Sequence, residues 1–265
     1  MAEITVSDDF VLPFQIETSG ARGRLVRLGP AISTILAQHA YPEPVSHLLG
    51  QAITLAALLG ASLKIEGGSF ILQTRSEGPV RFLVAQYHAP GNLRGYASFE
   101  AEEFSKPANG NAEAPLLGDG HFAMTIDPGP GMERYQGVVA LENGNLVEAA
   151  SLYFRQSEQI PTFLRVAVAK QYEAGKDGTP GTWSWRAAGL MVQKLTDEGG
   201  TTTGPKQDID DAWERARLFA STVADHELLD TTLAPETLLY QLFHEEQVRV
   251  FPSTPLVAFC QCSAE

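Results

Sequence analysis

Val45–Leu63 reads VSHLLGQAITLAALLGASL. Its apolar side chains do not keep to one stripe: Leu48, Leu49, Ala52, Ile53, Leu55, Ala56, Ala57, Leu58 and Leu59 go all round a helical wheel. A helix apolar on every side is buried on every side, in a protein core or in a membrane. His47, Gln51, Thr54 and Ser62 interrupt this stretch, and it holds no unbroken run of the length a membrane span needs. Gly50, Gly60 and the alanines keep it thin, which suits close packing. It is therefore expected to be a central core helix with strands against two sides.

Working outward, Val11–Ile16 and Arg22–Leu28 read as short strands around a Thr18-Ser19-Gly20 turn. Pro30 opens a helix through about Ala40, and Pro42 and Pro44 lead from it into the central one. Beyond Gly67-Gly68, the segments Ser69–Thr74, Val80–Tyr87 and Leu93–Phe99 form an antiparallel meander, with turns at Glu77-Gly78-Pro79 and Pro90-Gly91-Asn92. Ser105–Leu117, rich in Ala, Asn, Pro and Gly, is expected to be a surface excursion. Strands follow at His121–Asp127 and Arg134–Leu141. After the Asn143-Gly144 turn, a helix spans Leu146–Gln156, with Asn145 as N-cap and Glu148 at the capping-box position. Phe163–Lys170 and Ala187–Leu195 are the last predicted strands, separated by a Gly-rich loop at Ala174–Gly181.

The composition then changes. Thr196–Gln207, TDEGGTTTGPKQ, is a polar linker. Asp208–Leu229 is charged and amphipathic, and Pro235–His244 carries Leu238, Leu239, Leu242 and Phe243 on one face. Helices in succession, with no strand between them, predict a unit without a sheet of its own that must dock on the first domain. The expected organisation is α+β: a core domain of residues 1–195, a helical linker region 196–253, and residues 254–265 as the beginning of another unit.

Composition narrows the function. A net charge of −13 over 265 residues, with 44% hydrophobic and 19% charged residues, argues against a nucleic-acid surface and fits a soluble globular protein. Met1–Asp9 is polar and acidic, without the basic start and apolar run of a secretory signal, so a cytoplasmic location is the default expectation. The two cysteines, Cys260 and Cys262, are too close together to staple a fold.

Catalytic patterns are absent. Gly129-Pro130-Gly131 is followed by YQGVVAL, a strand rather than the helix N-terminus that would aim N–H groups at a phosphate, so it reads as a β-turn. There is no G-x-S-x-G elbow, and His244-Glu245-Glu246 lacks a second histidine four residues on. His39, His47, His88, His121 and His226 are scattered, so no enzyme is expected. Cys260-Gln261-Cys262 has two readings on spacing alone: half of a tetrahedral thiolate site, or two incidental cysteines. The end of the chain three residues later reads as a cut.

Several long runs stand in order along nearly the whole chain: SEGPVR at Ser76–Arg81, FAMTIDPGPGMERYQGVVAL, YFRQSEQIPT, and LLYQLFHEEQVRVF leading into FCQC. Together they resemble the 33 kDa chaperonin family, redox-regulated holdase-type heat-shock proteins of the bacterial cytoplasm. The resemblance implies a fold of two β-sheets sandwiching a buried helix, followed by a helical linker and a small C-terminal zinc domain. It implies an ATP-independent chaperone that binds unfolding client proteins under oxidative stress, as a homodimer in which the helical segment Thr196–Leu229 can be exchanged between subunits. Zinc in the family is held by a C-x-C and a C-x-x-C. Cys260 and Cys262 match the first pair as metal ligands, and the sequence lacks the second, so zinc is expected to be absent or weakly bound. Oxidation removes thiolate ligands, and a small metal domain draws on the order of 10 kcal/mol of folding free energy from its ion. Losing the ion would release the linker and expose Leu238, Leu242 and Phe243 to clients. Two rival classes are an enzyme with an unrecognised site and a structural zinc-binding module with a dedicated folded partner.

Overall fold

The structure, a computed structural model, describes residues 8–63, 65–104, 116–142, 144–175, 180–194 and 206–259. Most of the expected excursion at Ser105–Leu117, Asn143, part of the Ala174–Gly181 loop, the linker up to residue 205, and both cysteines fall outside these residues.

In chain order the elements begin with β1 (Phe10–Ile16), β2 (Ala21–Leu28), α1 (Pro30–Ala37) and α2 (Glu43–Gly60). Next come β3 (Ser69–Ser76), β4 (Val80–His88), β5 (Asn92–Phe99), the single turn α3 (Ala101–Phe104), β6 (Gly120–Asp127) and β7 (Tyr135–Leu141). They continue with α4 (Leu146–Tyr153), β8 (Thr162–Glu173), β9 (Thr182–Gln193), α5 (Lys206–Ser221), α6 (Asp225–Leu229) and α7 (Pro235–Phe243). Three short strands close the described chain: β10 (Val248–Val250), β11 (Thr254–Pro255) and β12 (Val257–Ala258).

Two sheets result. The first has the order β10-β1-β2-β9-β8 with β11 also on β1, and the second has the order β12-β5-β4-β3-β6-β7. The second contains the expected meander, extended by β6 on the far side of β3. Helix α2 lies between the sheets, and its residues from Leu48 to Gly60 are buried apart from Gln51. It begins two residues before the expected start and ends three before the expected end, with Pro44 inside its first turn, where a missing N–H costs nothing. Both sheets approach it through glycines. A Cβ on Gly95 of β5 would come within 2.8 Å of Ile53, and one on Gly189 of β9 within 2.7 Å of Leu58.

Local signals account for the neighbouring elements. Asn145 caps α4: its Oδ1 accepts from the backbone N–H groups of Val147 at 3.0 Å and Glu148 at 3.1 Å. Past Tyr153 the expected straight helix widens instead into one π-turn, Phe154–Glu158, closed by Gln159 in the left-handed region. Residues five apart face each other in such a turn, and the Tyr153 hydroxyl donates to Glu158 Oε1 at 2.7 Å. Helix α1 stops at Ala37, short of the expected Ala40. It is held from outside by Asp9, whose Oδ1 accepts from the N–H groups of Gly29 at 2.8 Å and Ala31 at 3.2 Å.

The helical segment, which has no sheet of its own, packs on the first sheet. The first sheet is covered on both faces. Val11, Val26, Leu28 and Met191 join the core around α2, while Phe10, Leu12, Phe14, Ile16, Leu25 and Leu190 form a second core with α5, α6 and α7. The sequence carries the signature of such a strand, since FVLPFQI is apolar in both phases of the period-two alternation.

Candidate functional site

The second core is where burial, charge and long-range polar contacts converge. From the helices, Trp213, Ala216, Ala220 and Val223 come from α5 and its C-terminal end, Leu228 from α6, and Leu238, Leu239 and Phe243 from α7. Phe14 of β1 stacks on Phe243 with ring centroids 5.6 Å apart. Two of the three α7 residues expected to meet clients, Leu238 and Phe243, are thus turned onto the sheet with Leu239, each no more than 1% exposed, and the third, Leu242, is half-buried. Tyr240 faces outward.

Two polar clasps fix this cover. The first is Arg27, which points out of β2 and is 2% exposed. Its Nε donates to the carbonyl of Leu228 at 2.9 Å, Nη1 to that of Leu233 at 2.6 Å, and Nη2 to that of Glu227 at 3.2 Å. Glu227 and Leu228 lie in the last turn of α6, where carbonyls have no partner within the helix, so one guanidinium satisfies a helix end and the loop after it. Burial pushes the Arg27 pKa below its ordinary value, with Asp230 and Asp8 acting in the opposite sense.

The second clasp is Glu246, 4% exposed, in the single turn after α7. Its Oε1 accepts from Nε of Arg215 on α5 at 2.8 Å, and its Oε2 accepts from the hydroxyl of Thr18 in the β1–β2 turn. Burial works against the carboxylate. The hydrogen bonds from Arg215 and Thr18 outweigh it, and the pKa lies below the usual glutamate value. The backbone agrees: Glu17 N–H donates to Gln247 C=O at 3.2 Å just before β10 pairs with β1. At the rim, Arg165 Nη2 meets Asp225 Oδ1 at 2.8 Å, and Lys194 pairs with Asp210.

After β10 the chain crosses to the other sheet. Leu256 is buried, β12 runs parallel to β5, and Phe259 N–H donates to Leu93 C=O at 2.8 Å. The segment leading to Cys260 and Cys262 is therefore tied to the edge of the second sheet. Both cysteines lie outside the described residues. Among the described residues there is no group of three or more His, Cys, Asp or Glu side chains that could hold a metal ion. The donor chemistry of two thiols one residue apart fits two of the four positions of a thiolate zinc site. Also among the described residues, no helix is long and apolar enough to cross a membrane.

Sequence reasoning passed over Arg27, Glu246 and Phe14. Their signals were present: a lone arginine inside the apolar run LVRL, an acid in the LLYQLFHEEQVRVF motif, and a strand apolar on both faces.

A sheet face masked by a clasped helical cover is an arrangement suited to a chaperone, and comparison with known proteins leads to the same class. A relative from Caulobacter vibrioides strain NA1000 / CB15N, named 33 kDa chaperonin, is 45% identical over 263 residues, covering 98% of this chain and 83% of its own length. A relative of the same name from Methylobacillus flagellatus is 34% identical over 257 residues, covering 97% of this chain and 78% of its own. The solved 33 kDa chaperonin (heat shock protein 33 homolog) of Thermotoga maritima superposes with a TM-score of 0.71. That match covers 96% of this chain and 81% of the other at 21% identity, a likeness of fold. The family model described as Hsp33 protein matches residues 9–265. The chain belongs to the Hsp33 family. The α+β fold of two sheets around a buried helix stands as expected from sequence.

Proposed function

We propose that this chain is an ATP-independent, redox-regulated holdase whose client-binding surface is the outer face of the first sheet together with the apolar sides of α5–α7. The observation that carries the reading is the second core. It joins two apolar surfaces through one stacked aromatic pair and two polar clasps, so lifting the cover exposes both surfaces at once. Exposed contiguous apolar area binds unfolded chains without sequence preference. No catalytic role is assigned to the chain.

In functional terms, residues 1–195 are the core that carries the sheet, 196–253 the releasable cover, and 254–265 the opening of the zinc-binding domain. Cys260 and Cys262 would contribute two thiolates to a zinc ion, which supplies folding free energy to the segment that follows the cover. Thiolates are the oxidisable groups, so oxidant would weaken that hold. Cytoplasmic residence and a homodimer, in which the segment 196–229 can be exchanged between two chains, complete the proposal.

The test is light scattering with several unrelated unfolding proteins, without nucleotide, with and without oxidant. Suppression across all of them supports the holdase. Tight binding to one folded partner, with no suppression, would replace it by an interaction module. Sedimentation over a range of concentration tests the dimer, and a monomer under both redox conditions would remove it.

A further inference from the structure

Along β2 the inward-facing positions are Arg22, Arg24, Val26 and Leu28, the last two in the core around α2. Two arginines thus occupy the first two places of a row that the period-two pattern reserves for apolar residues. Helix α2 ends at Gly60 and does not fill the whole space between the sheets. Beyond its end lies a cavity of about 290 Å3. Leu59 of α2, Phe70 of β3, Met124 and Ile126 of β6, and Phe154 of the π-turn supply its apolar wall, and Arg22, Arg24 and Lys194 its cations. One acid, Glu158, also lines it, and its Oε1 accepts from the Tyr153 hydroxyl.

The charges do not cancel within the cavity. Lys194 is matched by Asp210. Arg24 donates through Nε to the carbonyl of Ala61, the residue that caps α2, at 3.2 Å, and its two Nη atoms bond to no group among the described residues. The Arg22 side chain forms no ion pair or hydrogen bond among the described residues. Burial, with Arg22 close by, pushes the Arg24 pKa down to about 10. Neither guanidinium is ion-paired with Glu158, the one acid lining the cavity, which is the reverse of a structural ion pair, and a carboxylate bound bidentately is their best-matched partner. The volume is at the lower limit of ligand pockets, ~300 Å3, which limits the apolar body to a short chain.

We propose that the cavity between the sheets at the end of α2 binds a small amphipathic carboxylate of the medium-chain fatty-acid type. The head lies on Arg22 and Arg24, and the chain runs against Leu59, Phe70, Met124 and Phe154. This site is on the inner side of the first sheet, separate from the face under the helices, and its occupancy does not depend on the holdase reading.

The experiment is a titration of the full chain, labelled with 13C in its methionine methyl groups, with decanoate, decanol and acetate. Decanoate is expected to shift the Met124 methyl saturably, one per chain, while the exposed Met132 stays in place. Decanol, without the charge, and acetate, without the chain, should each bind at least about tenfold more weakly. Arg22→Gln and Arg24→Gln should each weaken decanoate by about tenfold or more and leave decanol unchanged, the measure of a lost charged hydrogen bond. Decanol binding as tightly as decanoate, a Met124 response that survives in both variants, or no response at Met124 would each overturn the proposal. If Arg24→Gln fails to fold, Arg22→Gln decides alone, because the Arg22 side chain is exposed and bonds to no group among the described residues.

Discussion

Replacing Arg27 with Met should free the cover without unfolding the core. The side chain length is kept, but three hydrogen bonds to the carbonyls of Glu227, Leu228 and Leu233 are lost. A hydrogen bond from a charged group contributes about 1.5–3 kcal/mol, and a buried carbonyl left without a partner costs about 1–3 kcal/mol. Against this stands the desolvation of a guanidinium in the wild-type protein, which Met does not suffer. Water reaching the loosened loop softens the loss further. A net weakening of docking of about 2–4 kcal/mol results, or roughly 30- to 700-fold in the ratio of docked to released cover. The core around α2 has its own apolar contacts and does not use Arg27. Hydrogen exchange resolved by segment is the assay. Amides of α6 and α7 should exchange faster by that factor, while those of α2 keep their protection. Equal acceleration in α2 would show that the two cores unfold as one, and unchanged exchange in α6 and α7 would show that Arg27 is no clasp.

Other perturbations reach the same architecture from different sides. The folded-state pKa of Glu246 lies below the ordinary value of 4.5. Its contribution to docking is therefore fully present above that value and lost as pH falls through the lower one. Exchange of α7 followed through this acid range should accelerate in the wild type, and Glu246→Gln should remove the pH dependence; a variant with the wild-type profile would assign the titration elsewhere. Leu55→Asp puts an unpaired charge at a fully buried position of α2, and thermal unfolding should reveal a loss above about 4 kcal/mol or no folded protein. Near-normal stability there would contradict burial of α2 on all sides. Gly95→Val would place its Cβ 2.8 Å from Ile53, so denaturant titration should register about 1–3 kcal/mol of overpacking, and an unaffected midpoint would mean that β5 yields freely.

Much of this could be read in the sequence because it is local. The all-round apolarity of α2, the meander turns and the Asn145 cap each act within a few residues, and the structure keeps them. The π-turn escaped because Tyr153 and Glu158 differ from an ordinary helical pair only once Tyr153 is seated against Gly137. The cover escaped for a different reason. A strand apolar in both phases announces two buried faces, but nothing in β1 says that the second face is met by residues more than 200 positions away. Arg27 and Glu246 are long-range in the same sense: the sequence separates Arg27 from Leu228 by 201 positions and Thr18 from Glu246 by 228. Arg22 and Arg24 were visible as charges out of phase in a strand, but their meaning depends on where α2 stops.

The most direct test of the central claim, that the cover masks the client surface, is a photo-crosslinking amino acid at position 14. In the idle protein it stacks where Phe14 meets Phe243, so the crosslink should fall within the chain, near the end of α7. Under activating conditions with an unfolding client present, that internal crosslink should decline. A crosslink to the client should appear in proportion to the suppression of light scattering. Full suppression with the internal crosslink intact, and with client captured instead by a probe at Tyr96 on the outer face of the second sheet, would contradict the account.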